Sequence, residues 1–351
     1  MTNIESYRII NTINNQTCYV CEGVGSPLYQ NLEDKVFDTP GEWSMLYCPK
    51  CKLSWLNPQP NPEEIHKIYK SYHTHNVSKL RWFLSLTNPI RVNILRKYYG
   101  YQEFDGLMEN NLISKLLSNL PLLIEVVGMG ILHLDASKKG KLLDVGCGTG
   151  QFLFSMQTLG WEVQGIEVDE QAASIAREEY KLNVSIGALR EENFPEKAFD
   201  IITLSHVIEH VLDPIELLSE CRRILKPSGK LILTTPNMES LGHRLFHENW
   251  RGLEVPRHMM VFSTRSIELC IHRAGFKLET IQSSERMARD IYNASRIIQY
   301  QSSFEETSGF YYSAKTLEGW FFQTFERIIN SLLKNAGEEI YLIGVRDDCS
   351  Y

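Results

Sequence analysis

From residue 140 onward the chain alternates short apolar runs with stretches whose apolar residues recur every three or four positions. "KLLDVG", "EVQGIEV", "FDIITLS" and "GKLILTTPN" read as strands, and "GQFLFSMQTLG", "EQAASIAREEY" and "DPIELLSECRRIL" as amphipathic helices between them. That alternation predicts an α/β fold, a parallel sheet with helices on both faces. A helix, "STRSIELCIHRAGF", and a strand, "KLETIQS", come next, and "EEIYLIGV" at 338–345 is the last strand. About 55 residues separate those final two strands, too many for a plain connection, which predicts a helical insertion at about 285–337. Within it Leu317, Trp320, Phe321, Phe325, Ile328 and Leu332 fall on one helical face.

The earlier part has a different texture. Residues 1–60 are turn-rich and cysteine-bearing and end in "LNPQPNP". "PEEIHKIYKSYH" reads as a helix with Pro62 in its first turn, and 79–135 as helices broken at Pro89, Gly100, Gly106 and Pro121. The expected organisation is a small module at 1–60, a helical cap at 61–136 and an α/β domain at 137–351. "LLSNLPLLIEVVGMGILHL" (116–134) is near membrane-spanning length, but Asn119, Pro121 and Glu125 interrupt it. A buried or interface helix is expected there, with a helix lying on a membrane surface as the lesser alternative.

Composition narrows the function classes. The hydrophobic fraction of 43% and charged fraction of 23% are those of a soluble globular protein, and 351 residues suggest two units. The net charge of −7 disfavours an electrostatic nucleic-acid binder. Residues 1–60 are themselves net acidic, with Arg8, Lys35, Lys50 and Lys52 against Glu5, Glu22, Glu33, Asp34, Asp38 and Glu42. "MTNIESYRII" lacks the basic and apolar regions of a secretory signal. Of eight cysteines, Cys18, Cys21, Cys48 and Cys51 form two CxxC pairs, whereas Cys147, Cys221, Cys270 and Cys349 are scattered. The pairing suits metal binding in a reducing cytoplasm better than a disulfide framework. Each CxxC supplies two thiolates from one tight turn, and two such turns satisfy a tetrahedral Zn²⁺.

"LLDVGCGTGQF" (142–152) comes after a strand and opens a helix. Gly146, Gly148 and Gly150 let the chain turn sharply and leave room for a ligand against the backbone. Glu167 ends the next strand, where an acid in a doubly wound sheet binds ribose hydroxyls. The loop is GxGxG led by Asp144, not the GxGxxG of a nicotinamide enzyme. Together with "FDIITLSHVIEHV", "RRILKPSGKLILTTPN" and "WRGLEVPRHMMVF", it resembles the class I S-adenosylmethionine-dependent methyltransferases over about 140–346. The resemblance implies a Rossmann-like sheet and S-adenosylmethionine as cofactor. It places the methionine part on Asp144, Gly146, Cys147, Gly148 and Gly150, the ribose on Glu167 with Val168, and adenine beside Ala188 and Leu189, with Ser205 also near the cofactor. The knuckles "YVCEGVG" and "YCPKCKL" look like a zinc ribbon, similar to the N-terminal modules of several methyltransferase groups, deoxysugar C-methyltransferases among them.

Candidate chemistry gathers after the fourth strand and in the loop "EVPRHM". Three readings stand side by side. In one, His258 or His206 is the general base for a hydroxyl or acidic C–H. In another, His206, Glu209, His210 and His258 hold a divalent ion; some small-RNA 2′-O-methyltransferases and quinone O-methyltransferases carry an acid-x-x-Glu-His metal motif here, from which this chain departs with His206 in the first place. In the third, Glu209 favours a helix start and His210 packs. Tyr72, His73 and His75 are weaker candidates for a substrate cleft, and Asn237 for contact with methionine or substrate. The expected function is methyl transfer to a hydroxyl, or activated carbon, of a sugar or specialised metabolite, in a cytoplasmic enzyme that binds a small-molecule acceptor; the sequence leaves its oligomeric state open, a homodimer being one option. The alternatives are a lipid or quinone O-methyltransferase in peripheral contact with a membrane, and a non-catalytic sensor or scaffold that only binds S-adenosylmethionine.

Overall fold

The computed structural model describes residues 10–69, 88–102, 112–300 and 316–347. Its strands are β1 (Thr12–Ile13), β2 (Ser26–Leu32), β3 (Trp43–Tyr47), β4 (Ser54–Leu56), β5 (Gln59–Pro60), β6 (Lys141–Val145), β7 (Glu162–Glu167), β8 (Val184–Ile186), β9 (Phe199–Ser205), β10 (Leu225–Pro236), β11 (Met260–Val261), β12 (Phe276–Ser284) and β13 (Glu339–Arg346). Its helices are α1 (Ile65–Ile68), α2 (Pro89–Tyr99), α3 (Leu112–Leu117), α4 (Pro121–Gly130), α5 (Gln151–Thr158), α6 (Glu170–Tyr180), α7 (Pro214–Ile224), α8 (Leu241–Phe246), α9 (Thr264–Arg273), α10 (Ala288–Tyr300) and α11 (Leu317–Leu333).

The long sheet has the order β8-β7-β6-β9-β10-β13-β12. β6 runs parallel to β7 and β9, and β7 to β8, while β12 and β13 are antiparallel. Leu142, Leu143 and Val145 of β6 and Ile201, Ile202 and Leu204 of β9 are buried, which is why these strands read as continuous apolar runs. The strand order reverses between β6 and β9, and an open parallel sheet binds ligands beyond its carboxyl ends at such a point. The expected α/β, Rossmann-like class is therefore the fold observed.

By compactness the chain divides into two units, Met1–Tyr72 with Ser205–Arg222 and Leu233–Tyr351, and His73–Leu204 with Arg223–Ile232. The second unit carries β6 to β8, most of β9 and the helices α2 to α6. Asn88 caps α2 by accepting from the Ile90 and Arg91 amides, and Gly100, at φ 73°, ends it in the left-handed conformation that glycine adopts without strain. The apolar stretch at 116–134 is split at Pro121, and only Val127, Gly128 and Met129 of α4 are buried. Leu116, Leu120, Leu122 and Val126 are exposed, as are Leu112 and Ile113 before the stretch, while Ile131, Leu132 and Leu134 after α4 are buried, so the burial expected here holds from the end of α4 onward and the first half presents an apolar face. Among the described residues, no helix is long and apolar enough to cross a membrane.

In the first unit, residues 1–60 share a sheet with a later segment. β4 pairs antiparallel with β11, more than 200 residues later, completing a four-stranded sheet β11-β4-β3-β2. Leu53, Trp55 and Leu56 are fully buried, Trp55 between Tyr19 and Gly25 of the same segment and opposite Met260 of β11, and the Leu56 amide donates to the Met259 carbonyl. Arg257 fastens the same region. Its buried guanidinium donates to both oxygens of Asp34 at 2.8 and 2.9 Å and lies over the Phe37 ring. The Ser263 hydroxyl donates to the Cys51 carbonyl.

The insertion between β12 and β13 is helical where described, as α10 and α11. Leu317, Trp320, Phe321, Phe325, Ile328 and Leu332 are all exposed, while Gly319, Phe322 and Glu326 face inward. The apolar stripe seen in the sequence is thus the outer face of α11 among the described residues.

Candidate functional site

Two turns of identical design present the four paired cysteines, in the first unit. Cys18 N–H donates to the Gly23 carbonyl and Glu22 N–H to the Cys18 carbonyl; Cys48 N–H donates to Leu53 and Lys52 N–H to Cys48 in the same pattern. Glu22 and Lys52, each four residues after the first cysteine, both take positive φ, at 60° and 64°. The four Sγ atoms lie within 4.8 Å of one another, with Cys18–Cys51 and Cys21–Cys48 at 3.4 Å. Zinc–sulfur bonds of ~2.3 Å place tetrahedral sulfurs ~3.8 Å apart, so the donor set fits that ion. The contact with Cys51 pulls the Cys18 thiol down to about 5, while the same contact drives Cys51 upward.

The glycine loop lies in the second unit. Gly146, Gly148 and Gly150 have φ of 73°, 54° and 80°. A side chain at Gly148 would meet nothing within 4 Å, so the loop backbone borders open space there. Glu167 is buried, its Oε2 accepting from the Gly148 amide at 2.7 Å and its Oε1 from the Asp169 amide at 2.9 Å. The acid expected at the ribose thus also holds the loop, and each oxygen keeps a lone pair for a hydroxyl donor. Asp144 lies buried at the end of β6 and accepts from Thr203 Oγ1 at 2.6 Å. Burial raises its carboxyl to about 7, against the Thr203 bond, with the Glu167 charge adding to the rise. Cys147 is buried, Val168 and Ala188 are exposed, and Leu189 is buried. The residues fit a nucleoside-bearing ligand: a turn stripped of side chains facing open space, and an acid at the end of the second sheet strand.

His206, His210 and His258 belong to the first unit, as does Ser205, whose hydroxyl meets Thr234 Oγ1 at 3.1 Å. His206 has φ of 54°, an uncommon conformation for a residue with a side chain. Its Nδ1 lies 3.1 Å from Glu209 Oε1 and its Nε2 2.8 Å from Glu339 Oε1. A nitrogen facing a carboxylate must carry a proton, so both do. Burial opposes the charge, but the bonds to Glu209 and Glu339 overcome it and push His206 up to about 10. The expectation of His206 as a neutral base is therefore corrected; it is held as a cation. Arg286 donates twice to Glu339, and Thr235 Oγ1 to Glu209 Oε2 at 3.0 Å. His206 and Arg286 thus balance Glu209 and Glu339, which is how two buried carboxylates stay ionised.

His210 and His258 are held by different partners. His210 Nδ1 lies 3.1 Å from the Arg257 carbonyl and 3.1 Å from Tyr69 Oη. His258 is 5% exposed, its Nδ1 2.8 Å from the Gly252 carbonyl. A carbonyl only accepts, so each Nδ1 carries the proton and, in the uncharged ring, Nε2 carries the lone pair. Burial lowers His258 to about 4, outweighing the pull of Glu254. The two rings meet edge to face at 4.7 Å. The candidates thus meet in two pairs of one unit, His206 hydrogen-bonded to Glu209 and His210 in ring contact with His258. Asn237 is spoken for, contrary to expectation. Its Nδ2 donates to the Asn335 and Gly337 carbonyls and its Oδ1 accepts from Glu239 N–H. Tyr72, His73 and His75 lie outside the described residues.

Glu339, Thr235, Arg286 and Tyr69 were missed in the sequence. Glu339 left one signal, an acid opening the otherwise apolar run "EEIYLIGV"; nothing in the patterning pointed to the others.

Residues 123–281, a little under half the chain, match the profile of a family described as a methyltransferase domain. A probable S-adenosylmethionine-dependent methyltransferase of Mycolicibacterium smegmatis is 28% identical over 157 residues, 44% of this chain and 58% of that protein. Ubiquinone biosynthesis O-methyltransferases of Actinobacillus pleuropneumoniae and Coxiella burnetii are 35% and 34% identical over 107 and 121 residues, 28% and 33% of this chain and 46% and 52% of theirs. The chain spans about half the length of the curated relatives it matches. A solved methyltransferase of Thermotoga maritima, described as a possible histamine N-methyltransferase, is 20% identical, with a TM-score of 0.40 over 59% of this chain and 82% of that one.

Proposed function

We propose, from the premise that this chain carries a class I S-adenosylmethionine-dependent methyltransferase domain, that it transfers a methyl group to a hydroxyl or activated carbon of a sugar or other specialised metabolite. The observation that carries the reading is the Gly146–Gly150 turn bordering open space, with Glu167 bonded to its Gly148 amide. Bound S-adenosylmethionine supplies an electrophilic methyl group. The chain's own part is to hold that group and to take up the proton of the acceptor. Gly146, Gly148 and Gly150 give backbone access, and Glu167 offers its remaining lone pairs to ribose hydroxyls. The lone-pair nitrogens of His210 and His258 are the groups suited to activate an acceptor O–H or C–H; His206 is not, being held protonated. We assign Zn²⁺ to Cys18, Cys21, Cys48 and Cys51, where it ties the two cysteine turns together.

A second reading keeps the chemistry and changes the acceptor to a lipid or quinone at a membrane surface. The ubiquinone-pathway names of two relatives and the exposed Leu112, Ile113 and Leu116 favour it.

The cofactor assignment is tested by calorimetry. Glu167→Ala should weaken S-adenosylmethionine binding by about 1.5–3 kcal/mol, the scale of hydrogen bonds to a charged group. Glu167→Gln, which keeps one acceptor, should lose less. Equal affinity in wild type and Glu167→Ala, or tight binding of NADH instead, would refute the assignment.

A further inference from the structure

We propose that Glu209, His210 and His258 form a second metal site, separate from the four cysteines, for a divalent first-row cation. One ligand atom from each of these residues lies within 4.8 Å of the other two. That convergence is the first argument. Glu209 is fully buried and His258 nearly so, whereas His210 is partly exposed, which leaves a side for the ion to enter.

The second argument is how the ligands are held. Metal-bound histidines donate their other ring N–H to a carbonyl or carboxylate, which fixes tautomer and ring orientation. Both imidazoles do this here, His210 to the Arg257 carbonyl and His258 to the Gly252 carbonyl. Each ring is locked with its lone pair on Nε2. Glu209 is locked as well, by Thr235 on Oε2 and by His206 on Oε1. Each of its oxygens retains a second lone pair, so it can bind an ion through one oxygen without breaking either bond. His206 is thus a positioning residue for the carboxylate and not a ligand.

The third argument is charge. Two uncharged imidazoles and one carboxylate leave a divalent ion one positive charge in excess. Glu254, whose Oε2 lies 3.6 Å from His258 Nε2, adds negative charge nearby, although Arg251 and Arg257 bind it. Two nitrogens and one oxygen suit zinc, iron, cobalt or manganese and disfavour magnesium and calcium, which take oxygen ligands. Three protein ligands leave coordination positions open for oxygen donors. In the methyl-transfer reading, on which this last step rests, an acceptor hydroxyl occupies one and is made more acidic. The metal site itself stands on the geometry alone.

The test uses full-length protein carrying zinc on its cysteines and titrates it with Co²⁺. A second equivalent should bind, with visible d–d bands but without the strong thiolate-to-metal absorption of a cysteine site. His258→Ala and His210→Ala should each weaken that equivalent more than ~100-fold, beyond the 10–100-fold typical of changes to supporting residues. Both should keep the thiolate-bound metal and an unchanged circular dichroism spectrum. Wild-type protein that binds no second equivalent overturns the proposal, and so does a second equivalent that survives in both variants. If the variants misfold, the wild-type count and its spectrum decide. S-adenosylmethionine affinity measured alongside separates the two claims: folded protein that binds the cofactor but no second metal defeats this inference and leaves the methyl-transfer reading intact.

Discussion

His258→Ala should lower the turnover number on the order of 10²–10⁴-fold, the usual worth of a group that manages a proton in the transition state. S-adenosylmethionine affinity should hardly change, because His258 is not part of the Gly146–Gly150 turn and its ring nitrogen bonds to the Gly252 carbonyl, not to Glu167. The expectation rests on a specific ring state. Nδ1–H is tied to that carbonyl, and burial holds the ring uncharged down to about pH 4. An imidazole kept in that state offers a lone pair throughout the neutral range. The effect is the same in direction whether the lone pair takes a proton or binds a cation, and a chelator separates the two, at doses that spare the cysteine-bound metal. Steady-state kinetics on the acceptor, with cofactor affinity measured separately, provide the check. Full turnover in His258→Ala would remove the histidine cluster from the chemistry.

The second large effect is structural. Cys48→Ser should abolish the thiolate-bound zinc and unfold the segment that contains β2, β3 and β4. Structural zinc is worth about 10–16 kcal/mol in small zinc-folded peptides, on the order of the whole stability of a typical domain. Because β4 pairs with β11 and the Cys51 carbonyl accepts from Ser263, the damage should spread to the later segments of the same unit. Elemental analysis of protein purified without added metal should show at least one zinc per chain in wild type. In the variant the thiolate absorption of a cobalt-substituted site should vanish, and limited proteolysis should cut around residues 18–56. Wild-type protein without zinc, or a Cys48→Ser protein with undiminished thiolate-bound metal, would end the assignment.

What could be read from the sequence was local. Strands β6, β9 and the later part of β10 were legible because strands buried on both faces are continuous apolar runs, and the glycine turn because glycine takes positive φ without strain. The paired cysteines were legible because each knuckle lies within a few residues. What was hidden depends on distant pairings. The protonated state of His206 is fixed by Glu339, 133 residues away, and the Arg257–Asp34 pair joins positions 223 apart. The module drawn at 1–60 shares a sheet with β11, a two-residue strand too short to show a period. The stripe on α11 is plain in the sequence, but periodicity reports that a helix has an apolar face, not which way it points. Inward on that helix lies Glu326, whose carboxyl burial raises to about 10 while it accepts from the Glu338 amide, an arrangement no hydropathy pattern signals.

The central claim, that this chain transfers a methyl group from S-adenosylmethionine, is tested most directly by incubating the purified protein with that cofactor and a metabolite extract and tracking both products by mass spectrometry. The account predicts S-adenosylhomocysteine formed in equal amount with a new species heavier than its precursor by one CH₂ group, and both products formed at least ~10-fold more slowly with Glu167→Ala at limiting cofactor. Tight cofactor binding with no S-adenosylhomocysteine from any extract, sugar, phenolic or lipid, would contradict it and leave a protein that only senses S-adenosylmethionine.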